Sequence, residues 1–362
     1  MFQPSDTQPE AEQTAARSRA TVRDVAALAG VSFKTVSRVA NGEQGVSKRT
    51  LDRVLAAMRE LNYHRDMTAG SLRRRDRRSA SIGLVITGVD NPFDCVLHRG
   101  AEEAANKRRV SVFAASTDEQ GSRERSLVSA FIARRVDGLI VMPTGEDQTY
   151  LLPEMSAGTP VVMVDRPAVG VEADCVLTDH RQAARLAVEN LIDHGHRRIA
   201  IFGDLSHLSS VRSRIEGYLE AMAAAGLEVD SALVTLDLHG EQLGFEAALR
   251  MIASDNPPTA IFSAQNVVTL GVIRALHARN LQHKIALVSF DDLPLADTID
   301  PPLTVVTQDP HTIGAIAVER VFNRLENPDL PTARIIVPAA LLRRGSGEIR
   351  PAELAAVGIS GR

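Results

Sequence analysis

The chain has 362 residues, of which 44% are hydrophobic and 24% charged, and its formal net charge is −4. This composition is typical of soluble globular proteins, and at roughly 100–200 residues per domain the length allows two or three domains. No apolar run approaches the ~18 residues of a membrane-spanning helix, which argues against a membrane role. The start, MFQPSDTQPEAEQTAARSRA, lacks the apolar stretch of a secretory signal, so we expect a cytoplasmic protein with a disordered tail at 1–19. Cys95 and Cys175 match no metal-ligand spacing and are expected to be reduced thiols.

Positive charge is concentrated near the start of the chain. Residues 20–79 contain 13 Lys and Arg against 6 Asp and Glu, a local charge of +7, which leaves −11 for the rest of the chain. A basic segment on an acidic body indicates a polyanionic partner for that segment alone. Because a basic run can equally be a solvated face, this charge becomes informative only together with local structure.

Residues 20–64 show three short helical patterns. The first helix is predicted to begin at Thr21 and to end before Gly30, which can adopt the left-handed conformation that terminates a helix. The second helix follows Ser32 as its N-cap and is stopped at Asn41 and the glycine after it. The short connection between these helices predicts a tight turn.

The third helix follows Ser47 as its N-cap. Apolar residues recur at three- and four-residue steps in all three segments, which predicts a common small core. The expected core residues are Val22, Val25, Ala26, Val36, Val39, Ala40, Leu51, Val54, Leu55, Met58 and Leu61.

The second helix carries Phe33, Lys34, Ser37 and Arg38 at its start and on its outer face, where they cannot belong to the core. A helix-turn-helix unit lays its second helix in the major groove of DNA, with residues near the helix start meeting base edges. Arg and Lys can donate to guanine O6 and N7, and Phe can contact a thymine methyl group. The alternative is an ordinary three-helix bundle with a charged exterior.

The segment TVRDVAALAGVSFKTVSRVANGEQGVSKRTLDRVLAAMRELNY resembles the DNA-binding headpiece of the LacI/GalR family of bacterial transcription regulators. It matches the family pattern T-x-x-D-V-A-x-x-A-G-V-S-x-x-T-V-S-R-x-x-N, followed in order by V-S-x-x-T and L-N-Y. The resemblance implies that Phe33, Lys34 and Arg38 read bases. It also implies DNA contacts, mainly to phosphates, at Thr21, Ser32, Thr35, Ser37, Asn41, Ser47, Thr50 and Tyr63.

Residues 65–79 match the position of a hinge helix that, in this family, folds on operator binding. Ala69 and Leu72 match its A-x-x-L pattern, in which the leucine wedges into the minor groove. Arg65-Asp66 stands where the family often has Pro-Asn. The RRRDRR run at 73–78 either contacts phosphates or is a solvated linker.

From residue 81 onward, short apolar runs alternate with helical segments. About nine runs, such as SIGLVITG and KIALVSFD, are typical of buried strands, and segments such as HRQAARLAVENLIDHG are typical of helices. This alternation predicts two doubly wound lobes, each with a parallel sheet and helices on both faces. Ligands of such sheets bind at the carboxyl ends of the strands, and in two lobes those ends can face one cleft. Neither G-x-G-x-x-G nor a phosphate-loop sequence follows a strand, so no nucleotide site is indicated.

This body resembles the family's effector domain, a two-lobed periplasmic-binding-protein-like fold. DNPF, DGLIVMP, HGHRRIAIFG, VSFDD and PPLTVVTQDP occur in the family order, so the resemblance covers residues 20 to about 345. It implies an effector-binding and dimerisation domain at 80–346, with crossings between lobes near Asp165, near Gln308 and after Asn327. The expected first lobe spans about 80–164 and 309–327, and the second about 165–308 and 328–346. The tail at 347–362 is too short for several apolar heptads, so no tail-driven tetramer is expected.

The resemblance also implies effector contacts at strand ends. Arg214 matches a family arginine that grips sugar hydroxyls or a carboxylate, and Asp291 matches an acid that accepts hydroxyl protons. Alternatively, these two residues form a pair that holds the cleft without touching ligand. The other expected contacts are Asn91, Phe93, Leu97, His239 and Gln265.

Two of these residues have an alternative interpretation, and a third departs from the family pattern. Phe93 is alternatively plain core, and His239 is alternatively a surface-loop histidine. Gln265-Asn266 stands where many relatives have Asn-Asp, so the resemblance does not identify a particular sugar. The His194-Gly-His196 pair looks like a metal site, but it lies at a helix end where basic side chains suit the dipole, and no metal is expected.

Together these features predict a nucleoid-associated homodimer that regulates transcription, most simply as a repressor of carbohydrate-use genes. Its two headpieces would read a near-palindromic operator in double-stranded DNA, and a sugar or sugar phosphate between the lobes would change operator affinity. A corepressor-dependent repressor or an activator remains open. The rivals are an enzyme, although no G-x-S-x-G or H-E-x-x-H is present, and a transport-associated sugar-binding protein. No cofactor, catalytic residue or membrane partner is expected.

Overall fold

The computed structural model describes residues 20–40, 43–63, 78–145 and 147–351. The chain divides into two compact units, Met1–Arg77 and Arg78–Arg362. Several sequence-based predictions fall outside the described residues. These are the tail at 1–19, most of the hinge, the end of the C-terminal tail, and the DNA contacts Asn41, Ala69 and Leu72.

Three helices of the first unit begin where the capping signals predict. Thr21 caps the first helix reciprocally with Asp24, whose carboxylate accepts from the Thr21 backbone N–H at 2.7 Å. Gly30 ends that helix in the left-handed conformation, with φ of 59°. Ser47 caps the third helix by accepting from the Thr50 N–H. The helices are α1 (Val22–Ala29), α2 (Phe33–Ala40) and α3 (Lys48–Glu60).

The core of this unit is aliphatic, and Val25, Val36 and Val54 are fully buried. The prediction that Leu51 and Leu55 belong to this core is wrong, because they are 36% and 42% exposed. At 3.6 residues per turn, Leu55 lies about 100° around α3 from Val54 and Leu51 about 60°. The buried stripe of α3 continues instead through its last two turns.

The second unit contains two six-stranded sheets, which confirms the predicted two-lobed α/β fold. The first has the order β11-β5-β4-β3-β1-β2, and its strand pairs are all parallel. The second has the order β12-β10-β9-β8-β6-β7, in which only the β10–β12 pair is antiparallel. The strands are β1 (Ser81–Ile86), β2 (Ser111–Ser116), β3 (Gly138–Val141), β4 (Val161–Val164), β5 (Asp174–Leu177), β6 (Ile199–Phe202), β7 (Val234–Thr235), β8 (Ala260–Ser263), β9 (Ala286–Phe290), β10 (Thr304–Thr307), β11 (Arg334–Ile336) and β12 (Ala340–Leu342).

Helices cover both faces of the sheets, which are buried in separate aliphatic clusters. No helix in the described part of the chain is long and apolar enough to cross a membrane. The helices of this unit are α4 (Pro92–Lys107), α5 (Gly121–Ala133), α6 (Leu152–Ser156), α7 (His180–Asp193), α8 (Ser209–Ala224), α9 (Glu241–Ile252), α10 (Asn266–Ala278) and α11 (Pro310–Glu326).

The chain passes between the lobes after Leu177, at Gln308 and between β11 and β12. The prediction of a crossing near Asp165 is wrong, because β5 follows it and pairs with β4 in the first sheet. The crossing expected after Asn327 is also misplaced, because β11 pairs with β5 before the chain leaves that sheet. The first lobe therefore keeps both of these short strands, and its boundaries at about 164 and 327 are corrected accordingly.

Glycines bring pairs of helices into close contact on the lobe faces. A Cβ atom at Gly314 of α11 would lie 2.1 Å from the carbonyl oxygen of Leu97 on α4, and one at Gly100 would lie 2.1 Å from the carbonyl oxygen of His311. Backbone sets this distance, so a rotamer change cannot relieve the overlap. Only a shift of one helix against the other could admit a methyl group.

We therefore expect Gly314→Ala to lower the free energy of unfolding by about 1–3 kcal/mol, the usual cost of overpacking a close-packed interior. Urea titration followed by circular dichroism measures this change. Asn323→Ala, at an exposed position of α11, is the matched control and should change stability by less than about 0.5 kcal/mol. An equal effect of both substitutions would refute the close-contact explanation.

Candidate functional site

Helix α2 buries one face and leaves a polar one exposed. Val36 and Val39 are buried, whereas Phe33, Lys34 and Arg38 are exposed, Phe33 by 44%. This face therefore presents the predicted base-reading side chains to solvent. In the DNA-free chain the Arg38 guanidinium donates to the Gln44 carbonyl at 3.2 Å and lies 3.5 Å from a carboxylate oxygen of Glu43.

Hydroxyl groups gather at the starts of α2 and α3. The hydroxyls of Ser32 and Thr35 lie 2.9 Å apart, and those of Ser47 and Thr50 repeat this arrangement at the same distance. The backbone N–H groups at a helix start attract anions, so these are suitable positions for DNA phosphates. Of the other predicted contacts, Thr21 is exposed, Ser37 is half-buried and Tyr63 packs partly against the core.

A cavity of about 290 Å³ lies in the second unit where strands of both sheets end. Asp165 follows β4, Gln265 follows β8, Asp291 follows β9 and Gln308 follows β10, so the lining comes from the carboxyl ends of parallel strands. Six of the seven predicted effector contacts line it: Asn91, Phe93, Arg214, His239, Gln265 and Asp291. Phe93 also packs in the core of the first lobe, so its position agrees with both interpretations.

Leu97 is the exception, and its assignment as an effector contact is wrong. It is fully buried in the first core cluster, and its carbonyl faces Gly314 of α11. Leu97 lies one helical turn after Phe93, so its side chain lies below the cavity and packs against the sheet.

Arg214 is buried and is held by protein groups. Its Nη1 donates to the Ala264 carbonyl at 2.7 Å, and its guanidinium lies 3.7 Å from the centre of the Phe290 ring. Burial lowers the pKa of Arg214, although the nearby carboxylate of Asp291 opposes this effect. No hydrogen bond or ion pair between Arg214 and Asp291 occurs among the described residues. Asp291 accepts instead from Gln308 Nε2 at 2.8 Å.

His180 connects Arg214 to Asp165. A guanidinium can only donate, so His180 Nδ1, 3.4 Å from Arg214 Nε, is the acceptor and Nε2 carries the proton. His180 Nε2 lies 3.0 Å from the Asp165 carbonyl oxygen and 3.3 Å from its Oδ1. Burial opposes ionisation of Asp165, but His180 and Arg166 outweigh it and hold the pKa of this carboxyl well below its usual range.

Arg166 is a buried bridge that the sequence-based prediction missed. It pairs with both carboxylate oxygens of Glu119, at 2.7 and 2.9 Å, and donates to the Pro143 carbonyl at 2.9 Å. Its Nε donates to the Ser210 hydroxyl on α8 at 3.0 Å. The carboxylate of Glu119 keeps this guanidinium charged and raises its pKa against the effect of burial. Arg166 thus fixes the first lobe against the start of a second-lobe helix.

An amide pair makes a second contact between the lobes. Asn91 Oδ1 accepts from the Phe93 N–H at 3.1 Å, which caps α4, and from Asn266 Nδ2 at 2.8 Å. Gln265 Oε1 caps α10 by accepting from the Val268 N–H at 2.7 Å. The Gln-Asn departure from the family pattern therefore supplies one helix cap and one contact across the cavity.

The histidines have distinct surroundings. His239 Nδ1 lies 2.9 Å from Asp204 Oδ1 at the cavity wall, and this hydrogen bond raises the pKa of His239. His196 is buried, with Nδ1 2.9 Å from the Thr259 hydroxyl and Nε2 2.7 Å from the Ile349 carbonyl. Both ring nitrogens are thus occupied, and no group of three or more His, Cys, Asp or Glu in the described ranges could hold a metal ion.

Several lining residues escaped prediction although most of them follow strand ends. Applying the strand-end rule to every strand, rather than to the positions of the family motifs, would have found most of them. They are Asp94, Asp118, Glu119, Asp165, Arg166, Asp204 and Gln308.

Comparison with known proteins gives consistent results over both units. Residues 21–66 match the model of the bacterial regulatory proteins of the lacI family, and residues 188–347 match a periplasmic binding protein-like domain. The ribose operon repressor of Escherichia coli K12 is 34% identical over 331 residues, which cover 90% of this chain and 99% of the relative.

Solved structures agree with these matches. A putative ribose operon repressor from Burkholderia thailandensis is 32% identical with a TM-score of 0.67, covering 73% of this chain and 99% of that one. The lac repressor dimer bound to operator and the anti-inducer ONPF is 25% identical with a TM-score of 0.77, covering 91% of this chain and 99% of that one.

Proposed function

Because the chain belongs to the lacI family of bacterial regulatory proteins, we propose that it is a homodimeric repressor of carbohydrate-use genes whose operator affinity is set by a sugar in the cavity. Like its relatives, the chain is a DNA-binding transcription regulator and not an enzyme. The observation that carries the proposal is the coexistence of an exposed basic face on α2 with a polar cavity between two lobes. A regulator of chromosomal genes acts in the cytoplasm, at the nucleoid.

In the proposed complex, α2 lies in the major groove. Phe33, Lys34 and Arg38 read base edges, because these exposed side chains share the face opposite Val36 and Val39. The hydroxyls at the starts of α2 and α3 hold phosphates. The remaining phosphate and minor-groove contacts are those predicted from the sequence at Thr21, Ser37, Asn41, Tyr63, Ala69 and Leu72.

Selection of genomic fragments by the purified full-length chain tests this part of the proposal. Two identical headpieces related by a two-fold axis should enrich a near-palindromic site. Enrichment of no common sequence, or of a site without internal symmetry, would contradict it.

The polar lining of the cavity supports a carbohydrate as effector. Arg214, Asp291, Asn91 and Gln265 offer donors and acceptors from both lobes, and Phe93 offers a ring face, which together suit a polyol. Two of the proteins described above are named as ribose operon repressors, so a pentose is the first sugar to test. Bound sugar biases the two lobes toward one relative orientation, and operator affinity changes if the two orientations bind DNA differently.

Exposed apolar side chains support the homodimer. Phe113 on edge strand β2 and Val96 on α4 are 49% and 42% exposed in the first lobe, and Leu270 and Leu295 are 38% and 72% exposed in the second. An edge strand with unpaired backbone groups and apolar side chains is a liability unless another surface covers it. We assign this covering surface to a second copy of the chain.

The double substitution Phe113→Asp and Leu270→Asp should therefore shift the protein from dimer to monomer, because it buries unpaired charges in both halves of the interface. Sedimentation velocity at micromolar concentration measures the shift. Leu152→Asp, at an equally exposed leucine of α6, is the matched control and should leave the dimer intact. A dimer that survives the double substitution would place the interface elsewhere.

A further inference from the structure

Asp94 is a buried carboxyl group in the cavity wall whose hydrogen bonding is incomplete. It lies in the first turn of α4 and is fully buried. Its Oδ2 accepts from the backbone N–H groups of Thr87 at 3.1 Å and Gly88 at 2.8 Å and from the Thr87 hydroxyl. Its Oδ1 has no hydrogen-bond partner among the described residues. Because buried polar atoms are nearly always paired, this oxygen calls for a partner that the described residues do not supply.

The charge of Asp94 is not neutralised by a basic partner. None of the ion pairs in the described ranges involves it, and the charge of Arg166 is the weakest of the influences on it. Burial raises the pKa of Asp94 to about 7, against the hydrogen bonds from Thr87 and Gly88, and the charge of Asp165 adds to the rise. In its ionised form the carboxyl can accept a hydrogen bond from a ligand at the unpaired Oδ1.

The remaining cavity lining is also acidic. Six carboxyl groups besides Asp94 line it, against two arginines in the described part of the chain. Both guanidinium groups are already engaged, Arg166 by Glu119, Pro143 and Ser210, and Arg214 by Ala264 and His180. An anionic ligand would therefore meet a lining with more carboxyl groups than arginines, in which both guanidinium groups already donate to protein acceptors.

A second free acceptor lies in the same cavity. Gln308 donates from Nε2 to Asp291, and its Oε1 has no partner among the described residues. Two acceptors without donors, Asp94 Oδ1 and Gln308 Oε1, suit a ligand with several hydroxyl groups. A phosphate or carboxylate group would instead bring negative charge and further acceptors close to these two oxygens.

We propose that Asp94 is a specificity-determining residue that accepts a hydrogen bond from a hydroxyl group of an uncharged polyol effector and excludes phosphorylated and acidic sugars. This assignment rests on the proposed function, because it takes the cavity as the effector site. Of the two effectors expected from the sequence, it favours the neutral sugar over the sugar phosphate. A hydroxyl that donates to a buried carboxylate forms a charge-assisted bond. A second buried negative charge beside that carboxylate instead has to be desolvated against the repulsion of the first.

The first test uses the wild-type full-length chain and matched pairs of compounds. The pairs are D-ribose with ribose 5-phosphate, D-glucose with glucose 6-phosphate and with gluconate, and D-fructose with fructose 1-phosphate. Thermal shift identifies binding and calorimetry measures Kd at pH 8. We expect at least one neutral compound to bind, and to bind roughly 100-fold or more tightly than its charged partner. Tighter binding of any charged member, or no response to any neutral compound, would overturn the proposal.

The second test compares Asp94→Asn with Asp90→Asn for the same pairs. Asn at 94 removes the charge and turns the free acceptor into a potential donor, so affinity for the neutral sugar should fall roughly tenfold or more and the preference over its phosphate should narrow. Asp90 lines the same cavity but is exposed, so the same loss of charge there should leave that preference unchanged. The assignment would be overturned if the preference for the neutral sugar narrowed equally in both variants, or if it did not narrow in Asp94→Asn.

Operator binding of each variant without ligand serves as the control for folding. Retained operator binding shows that Asp94→Asn folds. Absence of operator binding in the wild type would refute the proposed function. The ligand preference, measured by calorimetry, is independent of that outcome.

Discussion

Arg38→Ala should abolish specific operator binding while leaving the headpiece folded. The Arg38 side chain is exposed, and its partners among the described residues are Glu43 and the Gln44 carbonyl, a surface interaction that stabilises by about 1 kcal/mol or less. DNA can therefore displace these partners at small cost. An arginine that donates to a guanine contributes roughly 1–3 kcal/mol, and a dimer has two such contacts. We expect Kd for the selected operator to rise about 30-fold or more, measured by fluorescence anisotropy.

Arg59→Ala is the matched control for this substitution. It removes the same charge from an exposed position near the end of α3, outside the predicted reading face. It should weaken binding slightly and equally for operator and random DNA, as loss of general attraction to phosphates does. Undiminished operator affinity of Arg38→Ala, or equal effects of both substitutions, would contradict the base-reading role of Arg38.

Asp291→Ala should keep operator binding and weaken the response to effector. Asp291 is buried at the end of β9, accepts from Gln308 Nε2 and lies in the field of Arg214. Burial raises its pKa, while the charge of Arg214 and the Gln308 hydrogen bond counter that rise. A ligand hydroxyl that loses this charged acceptor loses a bond of about 1.5–3 kcal/mol, so effector Kd should rise about 10- to 100-fold. Calorimetry with the effector and anisotropy with the operator measure the two properties separately.

Asp297→Ala is the control, because Asp297 is exposed and does not line the cavity. Both operator affinity and effector response should survive this change. If Asp291→Ala responds to effector as the wild type does, the sensor site lies elsewhere. If it loses operator binding as well, the carboxyl serves the fold rather than the ligand.

Local signals made the headpiece predictable. Thr21, Gly30 and Ser47 act through contacts with their own neighbours, so the starts and ends of the helices follow from short stretches of sequence. The misplaced core residues Leu51 and Leu55 show the limit of this approach. Three- and four-residue spacing identifies an apolar stripe on a helix. It does not show how much of the width of that stripe the two other short helices can cover.

The body was predictable where strands are buried. The nine apolar runs correspond to β1 through β9, whereas β11 and β12 have three residues each and are only partly covered. Residues 335–342 form an apolar stretch that includes Pro338, but each strand has only three residues and its pairing is decided by distant segments. Missing β11, and assigning β5 to the wrong lobe, misplaced two of the three crossings.

The site was predictable only in part. The family resemblance indicates which residues lie near the cavity, but it does not indicate which groups they hydrogen-bond. Arg214 and Asp291 line the cavity as expected, but their hydrogen bonds go mainly to other protein groups. The pairing of Arg166 with Glu119 and the unpaired oxygen of Asp94 depend on how two lobes meet. No spacing in the sequence encodes these features.

The central claim is that occupancy of the cavity controls whether the headpieces hold operator DNA. The most direct test is titration of the full-length chain, bound to its selected operator, with the neutral sugar that thermal shift identifies. We expect a saturable change in operator affinity with a midpoint near the calorimetric Kd, and a shift of that midpoint to higher sugar concentration in Asp291→Ala. Operator affinity that stays constant while the cavity fills would contradict it.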